Sequence, residues 1–393
     1  MNYKPNVVVV MADDAGLGDV ELYNENCKIP TPNIKEIGSD GGMFSTAYSP
    51  SSVCTQTRYG LLTGKYHFKT SYRGQGVVFD YQDPMIDNGD GLQRALSEEG
   101  YNTYCSGKWH LGMEWRQNNN NTDSDELFRN DSMDFNSEIG DPSDQGFDRY
   151  YGIRASHDMP PYCFIEDGHV VGKPTGEKQK YYNQQREGPE SPVWNDYDVG
   201  KRITQKALSY ITEASQKDEP FFLYVPTSAP HKPCLPPEFI EGTSGLGKRA
   251  DMICQFDWTA GAIREQIQSL GIMDETLLIV TSDHGPSYED NFNNHDPVNG
   301  LRGGKATLFE GGVRVPLVFD PPKQVDFNST EEPVSLIDIA PTVLDIINAD
   351  YPEDEYDGRS WLDSSDIKPI MFEDGEGDLA IRCGRWKFIS EEE

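Results

Sequence analysis

The chain has 393 residues, of which 36% are hydrophobic and 25% charged, with 34 Lys and Arg against 66 Asp and Glu for a formal net charge of −32. That length suits one large domain or a large domain with a small appendage, and the composition suits a folded chain rather than a disordered one. The acidity excludes a nucleic-acid partner, because phosphate backbones demand a basic footprint, and no apolar run approaches the length of a membrane span.

In chain order, the first predicted strand is Asn6 to Met11, an apolar run leading into Asp13-Asp14. A helix over Thr55 to Leu62 places Cys54 at its N-terminus, and Gly91 to Glu99 reads as a further helix. The strand Tyr101 to Ser106 leads into Gly107-Lys108-Trp109-His110. Residues 116–146, rich in Asn, Asp and Ser with Asn118 to Asn121 in a row, read as a surface excursion, and Asp167 to Trp194 as a second loop-like region. Helix-like Val199 to Ala214 precedes the strand Phe221 to Val225, which leads into Ala229-Pro230-His231. Helix-like Ala250 to Leu270 precedes the strand Leu277 to Thr281, which leads into Asp283-His284-Gly285. Beyond Pro352 the composition shifts, and Ala380 to Ile389 reads as a strand pair turning at Gly384. Strands alternating with helices predict a three-layer α/β/α sandwich. In such folds ligands bind beyond the carboxyl ends of the strands, where these ionisable clusters fall.

Seven scattered cysteines do not make a disulfide framework. Three Asn-x-Ser/Thr sites, at Asn120, Asn130 and Asn328, are of a kind common by chance. The run after Met1 does not have the shape of a signal peptide, so the chain as written reads as cytoplasmic, or as periplasmic or secreted if a leader has been removed.

Adjacent carboxylates such as Asp13 and Asp14 repel unless a cation or hydrogen-bond donors compensate. With Asp283 they favour a hard divalent ion, Ca²⁺ or Mg²⁺, and His284 admits a transition metal as well. Cys54 at a helix N-terminus lies where an anion is favoured, with Arg58 four residues on and on the same helix face. Lys108 and His110 are two apart, which on an extended backbone points both into one pocket.

The string from Ser51 to Lys65, with Cys54, Arg58, Thr63 and Gly64, resembles the signature of the type I sulfatases, within the alkaline phosphatase superfamily. Pro5 through Asp14, Gly107 to Gly112, Gly152 to Asp158, Ala229 to Pro233, Ser282 to Gly285, and Leu301 to Lys305 through Gly312 are similar to further motifs of that family, in the same order. The resemblance implies a large mixed, mostly parallel sheet in a catalytic α/β domain over 1–350. It also implies the remnant of a small C-terminal α+β subdomain over 351–393, since relatives continue beyond Trp386-Lys387-Phe388. It implies Asp13, Asp14, Cys54, Asp283 and His284 around a calcium ion, Mg²⁺ or another divalent ion being the alternatives. Cys54 would be oxidised to formylglycine by a formylglycine-generating enzyme and hydrated to a gem-diol nucleophile.

By the same resemblance Arg58, Lys108 and Lys305 would surround the sulfate, His231 would protonate the leaving alcohol oxygen, and His110 would take a proton from the second hydroxyl. Ser156 and His157 would lie on the substrate side, Lys232 and Arg302 would be rim or structural residues, and Tyr72, Tyr162 and Trp194 could line a sugar cleft. The implied activity is removal of sulfate from a sulfated carbohydrate. The alternatives are a phosphodiesterase or phosphonate ester hydrolase of the same superfamily, and an inactive sulfatase-like glycan-binding protein. Gln56 stands where the family normally has Pro, at a position read by the maturation enzyme, and His284 stands where many members carry Asn.

Overall fold

A computed structural model describes residues 3–76, 83–86, 90–116, 133–182, 185–288, 292–327, 332–363 and 369–390. Asn118 to Asn121 and the sites at Asn120, Asn130 and Asn328 lie outside these residues.

Among the described residues, nine strands form the main sheet. They are β1 (Asn6–Asp13), β2 (Gly42–Met43), β3 (Asn102–Lys108), β4 (Arg149–Ile153), β5 (Phe164–Glu166), β6 (His169–Val171), β7 (Phe221–Pro230), β8 (Thr276–Ser282) and β9 (Leu317–Asp320). Their spatial order is β2-β9-β8-β1-β7-β3-β4-β5-β6. The central strands β8, β1, β7, β3 and β4 are parallel, and the strands at both edges run antiparallel.

The sequence of β1 explains the layering. Val7, Val9 and Met11 face one core while Val8, Val10 and Ala12 face the other, so the strand is apolar on both faces, as a central parallel strand must be. The first core is closed by α2 (Cys54–Thr63), α3 (Leu92–Glu98) and α6 (Ile339–Ile346), and the second by α1 (Pro32–Asp40), α4 (Val199–Ala214) and α5 (Lys248–Ser269). Along α4 the buried residues Ile203, Ala207, Tyr210 and Ala214 recur at spacings of three and four, with Ile211 beside them, the stripe of a helix lying on a sheet. Each buried Ile contributes about 1.5–3 kcal/mol of burial free energy to that contact.

Pairing registers align the carboxyl ends. Ala12 pairs with Ser282, Asp13 with Pro230, and Lys108 with Ile153, so the residues that follow these strands emerge along one edge.

The region expected to be loop from Asp167 to Trp194 carries order that periodicity does not reveal. Asp167-Gly168, both at positive φ (44° and 80°), turns β5 into β6, the two-residue hairpin that an Asp-Gly pair favours. Gly176–Glu177 pairs with Pro189–Glu190. Tyr162 is fully buried and its hydroxyl lies 2.8 and 2.7 Å from the carbonyls of Asp158 and Arg186. It therefore packs the fold and is not a cleft-lining aromatic.

A second sheet of three antiparallel strands, β10 (Ile370–Glu373), β11 (Leu379–Cys383) and β12 (Trp386–Ile389), turns between the last two at Gly384 with φ 55°. Phe372 and Ala380 pack with Tyr48, Leu308 and Val313. Trp361, by contrast, packs with Phe44, Phe319 and Phe327 in the main core.

Candidate active site

Every strand that bears on the site ends beside it. Asp13 closes β1, Lys108 closes β3, His231 follows β7, and Asp283 and His284 follow β8. Asp14 turns the chain with a left-handed φ of 73°. Its N–H donates to Asp283 Oδ1 at 3.1 Å and the next N–H donates to Ser282 Oγ at 3.1 Å. A residue with a Cβ adopts that backbone at a cost, and such cost concentrates at functional sites.

Helix α2 starts at Cys54, and all ten of its residues are buried. Its threonine hydroxyls all donate to backbone carbonyls: Thr55 to His110 at 3.1 Å, Thr57 to Ser51 at 3.1 Å and Thr63 to Tyr59 at 2.8 Å. Gly64 ends it at φ 66°, where a Cβ would come within 2.5 Å of the Tyr356 ring. Gln56 lies in the first turn, where Pro would also be tolerated because no intrahelical N–H bond is lost. Its Nε2 donates to the Gln75 carbonyl at 3.4 Å, so the fold accommodates Gln at this position.

The Cys54 thiol is 3.5 Å from Asp13 Oδ1, 3.2 Å from His284 Nε2 and 3.7 Å from Lys305 Nζ. Asp13, Asp14, Cys54 and His284 are buried and offer ligand atoms all within 4.8 Å of one another. Asp283 stands against this set, with Oδ1 3.6 Å from His284 Nε2 and Oδ2 accepting from Arg58 at 2.8 Å. His284 Nδ1 is 2.8 Å from the Gly285 carbonyl. A carbonyl only accepts, so Nδ1 carries a proton, and Nε2 is the nitrogen turned to the carboxylates.

Lys108 spans both oxygens of Asp13 at 2.9 and 2.8 Å, and Lys305 both oxygens of Asp14 at 2.7 and 3.0 Å. Burial alone would raise the Asp13 carboxyl, but Lys108, His231, Arg58 and Lys305 outweigh it and hold the group well below its ordinary range. Asp14 is likewise burdened by burial yet held at about 2 by Lys305, His231 and His284. Two ionised buried carboxylates beside an imidazole nitrogen, which can offer a lone pair to a metal, fit a divalent cation. Burial pushes the Cys54 thiol up to about 11 against the pull of Lys108 and Lys305, so the unmodified side chain is a neutral thiol near pH 7.

Arg58 is fully buried and committed: Nη1 donates to the Lys108 carbonyl at 2.9 Å and Nη2 to Asp283. It braces the ends of β3 and β8, and its charge reaches the site both through Asp283 and directly, with Nη2 3.5 Å from Asp13 Oδ1. His231 Nδ1 donates to the Lys232 carbonyl at 2.7 Å, leaving Nε2 3.9 Å from Asp14 Oδ2. Burial and Lys305 would lower its pKa, but Asp14 and Asp13 raise it above the ordinary histidine value.

His110 departs from the extended alternation expected of it. The strand ends at Lys108, and His110 takes a left-handed φ of 62°. Its N–H donates to the Arg154 carbonyl at 2.8 Å. With Thr55 on its carbonyl, it joins the Cys54 helix to the Ser156 segment. Ser156 Oγ is buried with no hydrogen-bond partner among the described residues, which suits a group awaiting a ligand. His157 Nε2 is 3.2 Å from Asp196 Oδ1, and its ring meets Trp194 edge-on at 5.7 Å. Asp196 is also paired with Lys178. Burial opposes its ionisation, but His157 and Lys178 hold it at about 2. Arg302 stacks over Phe309 at 3.7 Å, a packing role.

A family profile described as Sulfatase matches residues 5–349. The N-acetylgalactosamine-6-O-sulfatase of Bacteroides thetaiotaomicron is 33% identical over a 440-residue alignment that covers 98% of this chain and 82% of that protein. The chain belongs to the sulfatase family. Bovine (Bos taurus) arylsulfatase A is 29% identical over 98% of this sulfatase and 74% of its own length. A solved Bacteroides thetaiotaomicron structure, from work on its metabolism of multiple glycosaminoglycans, superposes with a TM-score of 0.84 at 31% identity. It covers 99% of this chain and 88% of that one.

Two supports of the sulfatase site escape motif reading. Arg249 on α5 donates to Asp19 at 2.6 and 2.7 Å and to the Asp14 carbonyl at 3.3 Å, and His295 Nε2 lies 3.0 Å from Asp19. Glu373, at the end of β10, pairs by backbone with Pro50 and Ser52 at 3.0 and 3.1 Å. Its carboxylate takes His67 Nδ1 at 3.1 Å and the Gly74 N–H at 2.7 Å. The one hint was an acidic residue ending an apolar strand.

Proposed function

We propose that this sulfatase removes sulfate from a sulfated carbohydrate, using formylglycine made from Cys54 and a divalent cation, Ca²⁺ in the first instance. The observation that carries this reading is the position of Cys54, at a buried helix N-terminus within 3.2–3.7 Å of His284, Asp13 and Lys305. The carbohydrate class is supported by the names of the relatives above. Asp13, Asp14, Asp283 and His284 would hold the cation, whose charge favours ionisation of a nearby hydroxyl and offsets charge on sulfate oxygens. Formylglycine, once hydrated, supplies the nucleophilic oxygen.

The remaining roles belong to the chain's own side chains. Lys108 and Lys305 set two ammonium charges against the sulfate oxygens, in a buried site where such charge counts for more than in water. Arg58 fixes Asp283 and the end of β3. His231, protonated at Nε2, gives a proton to the leaving alcohol oxygen, and Asp14 and Asp13 favour that protonated form. His110 accepts a proton at residue 54 as sulfate departs. Ser156 donates to the substrate, and His157, held by Asp196, shapes the wall behind it.

Two measurements test the proposal. Mass spectra of the Cys54 peptide, with and without a co-expressed formylglycine-generating enzyme, are expected to show conversion to the aldehyde when the enzyme is present. Sulfate release from sulfated saccharides by the converted protein is then expected to vanish in Cys54→Ala. For His231→Ala the loss is expected to be about 10²–10⁴-fold on alkyl sulfates and far smaller on aryl sulfates with acidic leaving groups. Verified aldehyde with no release from any sulfate ester would overturn the activity. Equal losses on both leaving-group classes would overturn the role of His231.

A further inference from the structure

We propose that the cavity beside His231 is a subsite for an anionic sugar residue, carboxylated or sulfated, joined to the one that loses its sulfate. The proposal rests on the glycan sulfatase reading above. The cavity encloses about 660 Å³, within the roughly 300–1,000 Å³ of ligand sites. Its walls include Tyr181, Tyr182, Tyr197, Lys232, Lys248 and Arg249, and none of its described lining residues is a carboxylate.

That lining is unusual for this chain, in which Asp and Glu outnumber Lys and Arg by 66 to 34. Four other surface cavities are each edged by carboxylates, Glu36 and Glu265 in one and Asp218, Glu219 and Glu275 in another. Chance placement in so acidic a protein favours acidic walls, so a cationic and aromatic one points to an anionic occupant with apolar faces. A pyranose bearing a carboxylate or sulfate answers that description, since tyrosine rings cover its C–H face and their hydroxyls meet its oxygens.

The individual groups divide the work. Tyr181, 52% exposed, meets Tyr197 edge-to-face at 6.1 Å, which leaves an aromatic corner open to solvent. Lys248 lies over the Tyr197 ring at 5.3 Å, and its ion pair with Glu241 at 3.4 Å is a half-exposed surface contact that an anion can displace. Arg249 is bound to Asp19, which neutralises its charge, so Lys232 and Lys248 are the cations this wall offers. Lys232 directly follows His231, so the cavity opens next to the residue assigned to protonate the leaving oxygen, and a sugar joined to the leaving one can reach it.

The test measures binding without turnover. The full-length Cys54→Ala protein is titrated calorimetrically with three unreactive disaccharides: one neutral, one with a hexuronate, and one with a sulfate on the distal sugar. The anionic pair is expected to bind about tenfold tighter than the neutral one, and comparison of the two identifies the preferred anion. Adding Lys248→Ala should remove most of that preference, and adding Tyr197→Ala should weaken all three about tenfold. Lys248→Glu, a surface change that leaves the core untouched, should invert the preference. Equal affinity for neutral and anionic sugars would overturn the proposal, as would dissociation constants unmoved by all three substitutions. Failure of sulfate release by the Cys54 protein would instead overturn the catalytic reading and leave this titration interpretable.

Discussion

Replacing Arg249 by Met isolates the buried charge pair behind the proposed cation ligands. Arg249 and Asp19 are 5% and 0% exposed, joined by two bonds of 2.6 and 2.7 Å, and the guanidinium also reaches the Asp14 carbonyl. Methionine keeps much of the apolar stem but leaves the Asp19 carboxylate without its cation. Removing one partner of such a pair costs about 3–5 kcal/mol. The Gly16 N–H, at 2.8 Å, and His295 remain on Asp19, so the expected loss lies near the lower end, about 3 kcal/mol.

Burial alone would raise the Asp19 pKa, and Arg249 is the main group that holds it down. In Arg249→Met that carboxyl titrates higher, so it takes up a proton more readily as pH falls, and the loss is larger at pH 8 than at pH 5. Urea unfolding at both pH values, for wild type, Arg249→Met, Asp19→Asn and the double variant, measures the coupling. A coupling of about 2 kcal/mol is expected, with the double variant more stable than the sum of the singles implies. Loss of the donor to Asp14 should also weaken Ca²⁺ binding about tenfold in a calorimetric titration. A single variant within about 0.5 kcal/mol of wild type, or strict additivity, would refute the reasoning.

Further outcomes follow from other buried groups. Asp257 accepts from the Ile34 N–H at 2.8 Å and from Asn33 at 2.6 Å, yet burial pushes its carboxyl up to about 6. The native state therefore keeps this proton to higher pH than the unfolded chain, so stability falls as pH rises from about 4 to about 6 and is flat above, by up to about 3 kcal/mol. Asp257→Asn should flatten that slope in denaturation curves taken across the window, and an unchanged slope would count against it. Ca²⁺ at a hundred times its dissociation constant should stabilise the protein by about 2.7 kcal/mol in thermal unfolding, and Asp14→Asn should abolish the effect. Glu373→Ala should cost about 2–3 kcal/mol and speed amide exchange at Ser52 to Cys54, whereas exchange unchanged at those amides would show that β10 does not brace the loop.

Much of the fold is legible along the chain, because apolar runs such as Val7 to Met11 and stripes such as Ile203, Ala207 and Ile211 announce burial on two faces and on one. The loop between Asp167 and Trp194 is less so. Its strands are two or three residues long, too short for any period to emerge, and only the Asp167-Gly168 pair marks a hairpin. Tyr162 looked like a sugar platform, but its hydroxyl is satisfied by backbone carbonyls and its ring is buried. An extended backbone would point His110 into one pocket with Lys108, but bonds to Arg154 and Thr55 accompany a turn of the backbone at His110 instead.

By itself the sequence determined the chemistry available, because a carboxylate pair, a cysteine with an arginine one helical turn on, and histidines after buried strands are local patterns that spacing preserves. It also determined the layered α/β architecture through its apolar periodicity. Only the tertiary structure decided which of these groups meet. Asp13, Cys54, Lys108, Asp283 and Lys305 are separated by tens to hundreds of residues, and parallel register, the seating of helix α2 and the loop held at Pro286 and Ser52 together bring their side chains within a few ångströms. The supporting pairs Arg249–Asp19 and Glu373–His67 belong wholly to the tertiary structure. Nothing local distinguishes a buried arginine or glutamate from a solvated one until the opposite charge arrives from a distant element.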